Sequence, residues 1–191
     1  FSFAKFRFRG RDALFTFVLA TLMLPPIVMI VPLLLEMGEL KWIDTYQALI
    51  LPGAINAFAV FWMRQQISDV PDEILDAGRV DGCSSFGLYW RVVLPIIRPA
   101  LAALAIFTFL EIYNDFVWPV IAINSSDMQT LQVMLSDLYN RINNMQVGVV
   151  GQNAWGQVLA ASVIATFPVL FLFAALQRHF VRGILAGSVK G

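Results

Sequence analysis

The chain has 191 residues, of which 59% are apolar and 14% charged, and it carries no formal net charge. Soluble domains average about 45–50% apolar and about 25% charged residues, so this surplus calls for a lipid solvent. The neutral balance excludes a nucleic-acid partner held by bulk charge. One cysteine, Cys83, excludes a disulfide framework, and one histidine, His179, argues against metal sites.

The opening stretch, FSFAKFRFRGRD, puts its basic residues after the aromatic ones, which is not the layout of a cleavable signal. It reads as the cytoplasmic end of a preceding span, so the chain is expected to be an N-terminally truncated piece of a longer membrane protein. Four segments are apolar over about the 20 residues needed to cross hydrocarbon. The first is residues 13–35, where Pro25, Pro26 and Pro32 predict a kink. The others are residues 46–63, 100–123 and 155–176. In the last, Ala161 and Ala165 form a small-xxx-small pair suited to close helix contact. The expected fold class is an all-α, polytopic helical membrane protein with four full spans and the end of a preceding one. Trp118 and Trp155 fit an aromatic belt at the outer ends of their spans.

The loops assign an orientation. All but two of the 13 Lys and Arg fall on one side: Lys5, Arg7, Arg9, Arg11, Arg64, Arg79, Arg91, Arg98, Arg178, Arg182 and Lys190. Only Lys41 and Arg141 fall on the other, with Glu36, Glu39, Asp44, Asp127 and Asp137. The positive-inside bias makes residues 69–99 and the C-terminus cytoplasmic and the 124–153 loop external. Within that outer loop, Leu131, Leu135 and Leu138 recur at helical spacing and predict a short helix on the outer face.

Residues 69–99 are charged, interrupted by Gly and Pro, and not a span. Pro71 suits a helix's first turn, and Asp72 and Glu73 complement its dipole. Ile74, Ala77 and Gly78 share a face at helical spacing, and the two small ones would let a partner approach closely. Gly82 ends this helix, Ser84 or Ser85 caps a second one (FGLYWRVVL), and Pro95 and Pro99 follow. Two readings stay open on spacing alone. One is an amphipathic loop lying on the headgroups through Phe86, Tyr89 and Trp90. The other is a docking surface for a cytosolic protein.

The stretch LDAGRVDGCSSFGLYWRVVLP resembles the EAA loop of the membrane subunits of binding-protein-dependent ABC importers. That pattern is Glu-Ala-Ala, three residues, Gly, nine residues, Ile, one residue, Leu-Pro. Asp76, Ala77 and Gly78 stand at the Glu-Ala-Ala positions, Gly82 follows, Val92 takes the Ile position, and Leu94 and Pro95 complete it. Asp76, Gly78 and Val92 depart from the pattern; Gly78 weakens the helix by about 1 kcal/mol relative to Ala. FAKFRFRGRD, NDFVWPVI and the closing QRHFVRGILAGSVKG are similar to other segments of the carbohydrate, maltose-type branch. The resemblance implies that residues 1–191 are an ABC importer type I transmembrane domain, with 69–99 as its cytoplasmic coupling loop. It implies that Asp76, Ala77, Gly78, Arg79, Asp81, Gly82, Leu94 and Pro95 couple to cassette ATPase subunits. ATP and Mg would sit on those partner subunits and no cofactor on this chain. A second permease subunit in a heterodimer, an extracytoplasmic sugar-binding protein and membrane lipid complete the implied partners, in a prokaryotic cytoplasmic (inner) membrane. Asp76 has two possible pairings, a partner's basic residue or its own Arg79 at i,i+3.

Inside the third predicted span stand Glu111, Asn114 and Asp115. In a continuous helix Glu111 and Asp115 share a face at i,i+4. An ionised carboxylate facing lipid there costs about 2.5–3.5 kcal/mol, so both are expected to face a cavity or a partner. They are candidates for the translocation path, where they would bond sugar hydroxyls; alternatively they satisfy backbone freed near Pro119 or bond to neighbouring helices. His179 reads as a headgroup-level residue, and Gln152, Asn153 and Gln157 as solvated or in contact with a delivering protein; the resemblance implies that Lys190 belongs to a tail that can reach the ATPase. There is no GxxxxGK[ST] loop and no serine–histidine–aspartate candidate, so the chain is not expected to be an enzyme by itself. The function expected is ATP-driven import of a sugar or oligosaccharide by alternating access. The alternatives are an ABC permease for another solute, such as a glycerophosphoryl compound, or an ion-coupled secondary transporter using Glu111 and Asp115.

Overall fold

The computed structural model describes the backbone of residues 1–144 and 154–188. The expected contacts Gln152, Asn153 and Lys190 lie outside the described residues. Every regular element among the described residues is helical. In chain order these are α1 (Ser2–Lys5), α2 (Arg11–Thr21), α3 (Pro26–Glu39), α4 (Tyr46–Ile50), α5 (Ala57–Ser68) and α6 (Asp72–Val80). After them come α7 (Ser85–Leu88), a π-helical turn (Tyr89–Val93), α8 (Leu94–Ile96), α9 (Arg98–Tyr113) and α10 (Val117–Ala122). A 3-10 turn (Ser126–Met128), α11 (Leu131–Asn144) and α12 (Ala154–Ser188) complete the order.

Prolines stand at several of the breaks. Pro26 begins α3 at the first helical position, where its missing N–H costs nothing. Pro52 follows the end of α4, and α5 restarts after Asn56, whose side-chain oxygen accepts from the Phe58 amide at 2.7 Å. Pro119 stands in the first turn of α10. In an unbroken helix its ring would strike the Asp115 carbonyl, so α9 stops at Tyr113 and α10 begins at Val117. Helix α3 runs on through Pro32 and α12 through Pro168.

The four expected spans are therefore less uniform than their composition suggests. Trp155–Ala175, within α12, is one continuous helix of 21 residues, long and apolar enough to cross a membrane by itself. Residues 13–35 are the broken pair α2 and α3, which reach that length only together. Residues 100–123 are also broken; α9 instead joins with Ser85–Ile96, at a bend of 77°, into a pair of sufficient length. Residues 46–63, expected as a span, are two short helices separated at Pro52 and Gly53. Length and apolarity do not register the prolines inside these runs, which divide the helices.

The chain folds as two compact units. The first comprises Phe1–Pro25, Ile55–Phe107 and the segment from Leu176. Its core gathers Ile67, Val70, Leu75, Val93 and Ile97, with Phe1, Ala4, Met63, Tyr89 and Leu101 packed against them. Arg64 links α5 to the start of the chain. It donates from Nε to the Phe3 carbonyl at 3.2 Å, and its guanidinium lies 3.8 Å from the centre of the Phe15 ring.

The second unit comprises Pro26–Ala54 and Thr108–Ala175. Its core is Met37, Ala48 and Ala122, enclosed by Leu33, Trp42, Ile43 and Trp118. Pro52 cannot donate to the Ala48 carbonyl, and the Trp118 indole N–H does so instead at 2.8 Å. The Tyr113 hydroxyl donates to the Ala165 carbonyl at 2.6 Å, one residue from the carbonyl that Pro168 leaves without a helical donor. Ala165 is buried, as the small-residue pattern anticipates. Asp44, with φ +61°, accepts at one carboxylate oxygen from the amides of Asn124 (2.9 Å) and Ser125 (2.8 Å), and at the other from the Ser125 hydroxyl. The expected outer-loop helix is present as α11, with Val133 and Ile142 buried.

Candidate functional site

The 69–99 segment lies in the first unit and is built as helix, tight turn, helix. Pro71 precedes α6, and Asp72 and Glu73 occupy its first turn. At the other end Gly82 takes φ +82°, a region open to glycine and strained for most side chains. The Cys83 amide donates to the Gly78 carbonyl and the Gly82 amide to the Arg79 carbonyl, both at 3.0 Å. This double bond across a left-handed glycine is a Schellman closure, which satisfies carbonyls that the helix end would otherwise orphan. Ser84 then caps α7, its hydroxyl accepting from the Gly87 amide at 3.1 Å.

The π-helical turn has a local cause. Pro95 in a regular helix would strike the Arg91 carbonyl. The wider turn relieves this, with the Leu94 amide bonded back to the Tyr89 carbonyl. Leu94 is half-buried and Pro95 exposed.

Burial divides α6 into two faces. Leu75 and Gly78 face inward. Asp76, Ala77, Arg79 and Asp81 are exposed, with Ile74 and with Val80, which is 88% exposed. Phe86 (72% exposed) and Trp90 (52%) extend this apolar surface beyond the turn. Gly78 is therefore not on the presenting face with Ile74 and Ala77, contrary to the expectation from spacing. A Cβ placed there would come within 2.5 Å of Leu88 Cδ2, so glycine lets Leu88 close against α6. The departure from alanine at this position has an internal packing reason.

Charge holds the segment at two points. Asp76 and Arg79 pair at 2.5 Å across one turn, the internal alternative weighed for Asp76. At the head of α6, Lys5 Nζ lies 2.7 Å from Asp72 Oδ1 and also donates to the carbonyls of Val70 (2.6 Å) and Ser68 (3.3 Å). The hydrogen bond from Lys5, and then its charge, hold the Asp72 carboxyl below its ordinary value of 3.8. Lys5 counted in the sequence only as one of many cytoplasmic cations; nothing local to it announces these partners.

The polar residues of the third expected span lie in the second unit. Glu111 is exposed on α9. Asn114 donates from its side-chain amide to the Leu110 carbonyl at 2.8 Å, so it serves the helix end. Asp115 lies beyond that end, so the i,i+4 relation to Glu111 assumed for a continuous helix does not apply. It lines an open cleft of about 830 Å³ whose other walls include Ile27, Ile30, Leu33, Ile50 and Ile112. One carboxylate on an otherwise apolar wall gives the cleft a single strong acceptor. Trp118 also lines it, and its bond to Ala48 makes it a structural donor.

The model of the family described as binding-protein-dependent transport system inner membrane component matches residues 1–186. The chain belongs to that family. Its members are membrane components of transport systems, and the fold is that of an importer's permease. Over 191 residues it is 37% identical to the arabinooligosaccharides transport system permease protein AraQ of Halalkalibacterium halodurans, covering 100% of this chain and 65% of that protein. It is 33% identical over 190 residues to the lactose transport system permease protein LacG of Rhizobium radiobacter, covering 100% of this chain and 66% of the other. The chain thus spans just under two thirds of these relatives. Among solved structures it is similar in fold to a bacterial ABC transporter involved in the import of the acidic polysaccharide alginate. The TM-score is 0.77 at 23% identity, over 94% of this chain and 65% of the other.

Proposed function

We propose that the chain forms part of a permease subunit of an ATP-driven importer, which moves a sugar or oligosaccharide across a prokaryotic cytoplasmic membrane by alternating access. The observation that carries this reading is the 69–99 unit. It is closed at Gly82, internally packed through Leu75, Gly78 and Leu88, and apolar on the face that Ile74, Val80 and Phe86 leave exposed. A stiff helix pair with such a face suits seating in a partner protein better than lying loose at an interface. Asp76, Ala77, Arg79 and Asp81 border that face; Gly78, Gly82, Leu94 and Pro95 shape the unit that presents it.

Cassette ATPase subunits, carrying ATP and Mg, are the proposed occupants on the cytoplasmic side, where the excess of Lys and Arg also places the C-terminus. A second permease subunit and an extracytoplasmic sugar-binding protein complete the assembly. The sugar class follows the names of the relatives AraQ and LacG. Asp115, on the wall of the cleft, is the proposed path residue to accept from a sugar hydroxyl, with Glu111 and Asn114 nearby in sequence.

Cys83, the single thiol, adjoins Gly82 in the turn and reports on docking there. A short thiol cross-linker should join Cys83 to a cassette ATPase in native membranes, with a yield that changes on ATP binding. Absence of any such adduct at every nucleotide state would refute the coupling role. Transport that follows an ion gradient and ignores ATP would establish the secondary carrier instead, and competition between sugars and glycerophosphoryl compounds would fix the solute class.

A further inference from the structure

The three donors of the Lys5 ammonium have three acceptors. These are the carbonyls of Ser68 and Val70, at 3.3 and 2.6 Å, and the Asp72 carboxylate at 2.7 Å. The Lys5 side chain is only 7% exposed. Ser68 is the last residue of α5, where the helix dipole leaves partial negative charge; Asp72 is the first of α6. Three residues, Asp69 to Pro71, join the two helices, and they are the hinge about which α6 could swing. A compact ammonium suits three acceptors converging on a point, where a planar guanidinium would not. From the opposite direction Arg64, on α5, bonds the Phe3 carbonyl two residues before Lys5. Two cations thus tie α1 and α5 together reciprocally, and one of them continues into α6.

We infer that Lys5 is a positioning residue for coupling. Its buried ammonium locks the 69–71 hinge, so α6 moves with α1 and α5 as one body instead of as a flap. The inference rests on the coupling role proposed above for 69–99. It adds that the stiffness of the lever is supplied from outside the segment, by a residue 64 positions before its first residue, Asp69. A flap would dissipate a displacement of α6 within the hinge; a locked hinge passes it to α1 and α5.

The test uses the full-length membrane protein in lipid nanodiscs, with a nitroxide on Cys83 and a Cys83→Ser control for label elsewhere. Lys5→Met keeps the length of the side chain and removes the ammonium. It should raise the mobile fraction of the label on the order of tenfold, the worth of one charged hydrogen bond. Asp72→Asn, which leaves both carbonyl contacts in place, should give a smaller rise. Global unfolding measured in parallel separates release of the hinge from loss of the fold. In the reconstituted importer with its ATPase, Lys5→Met should also lower solute moved per ATP hydrolysed. An unchanged spectrum overturns the inference, and so does a mobile label with an unchanged yield per ATP. Should the wild-type importer show no ATP-driven transport, the importer reading fails, and the spectrum alone decides whether Lys5 locks the hinge.

Discussion

The indole N–H of Trp118 donates to the Ala48 carbonyl at 2.8 Å, the carbonyl that Pro52 cannot reach. Ala48 is fully buried, so water cannot substitute for the missing donor. Trp118→Phe keeps an aromatic ring and removes the donor. It should cost about 1–3 kcal/mol, the desolvation penalty of an unpaired buried acceptor. Pro52→Ala returns an amide at the helical position and should recover most of that loss in the double variant. Thermal unfolding in detergent reads both; strictly additive losses would show that Pro52 and Trp118 do not share the Ala48 carbonyl.

Gly78 and Gly82 lie four residues apart and are needed for different reasons. At Gly78 the backbone is an ordinary helix, and Leu88 Cδ2 occupies the place of a side chain. Gly78→Ala gains about 1 kcal/mol of helix propensity and forces an overpacked contact costing about 1–3 kcal/mol. Leu88 is buried at 2% exposure and has little room to yield, so the net effect should be destabilising. Leu88→Ala in the same chain should make Gly78→Ala favourable, and a melting series over the four variants measures the exchange.

At Gly82 nothing lies within 4 Å of an added Cβ, but φ is +82°. The cost there is in the backbone alone, about 1–2 kcal/mol for an alanine forced into the left-handed region. Gly82→Val should therefore leave membrane insertion intact while altering the turn. If the unit couples as proposed, ATP hydrolysis should continue with reduced transport. A variant that fails to insert would point to a purely structural turn.

Asp44 accepts three hydrogen bonds from Asn124 and Ser125, the Ser125 hydroxyl first in effect, and these hold its carboxyl below the ordinary 3.8. A carboxyl depressed in the folded state stabilises fully above its unfolded pKa, and that contribution is lost as pH falls through the folded one. Asp44→Asn tolerates the positive φ, so the backbone is little changed. The substitution should lower the melting temperature at neutral pH, and the gap to wild type should shrink below about pH 4. A gap constant down to strongly acidic pH would mean that the charge of Asp44 contributes nothing.

Local punctuation makes much of the 69–99 unit legible in the sequence. Pro71, Gly82 and Ser84 each stand where a helix starts, stops or is capped, and α6 and α7 follow them. The leucine spacing likewise announced α11. Spacing could not say which side of α6 faces inward, because Leu75 and Ile74 are equally apolar and only the neighbouring chain chooses between them. The second expected span failed for a different reason. Apolar composition over residues 46–63 reports the solvent, not the helix, and Pro52 divides what hydropathy joins. Pro119 broke the Glu111–Asp115 relation in the same way. Lys5 was unreadable because its three acceptors come from residues more than sixty positions away.

The contact between Gly78 and Leu88 has a consequence for descent within the family. A methyl group at the first position leaves no room for a leucine so placed at the second. Relatives that carry the family's alanine at the place of Gly78 should therefore hold a smaller or differently branched residue opposite it. The two sites should covary, and neither should drift freely without the other.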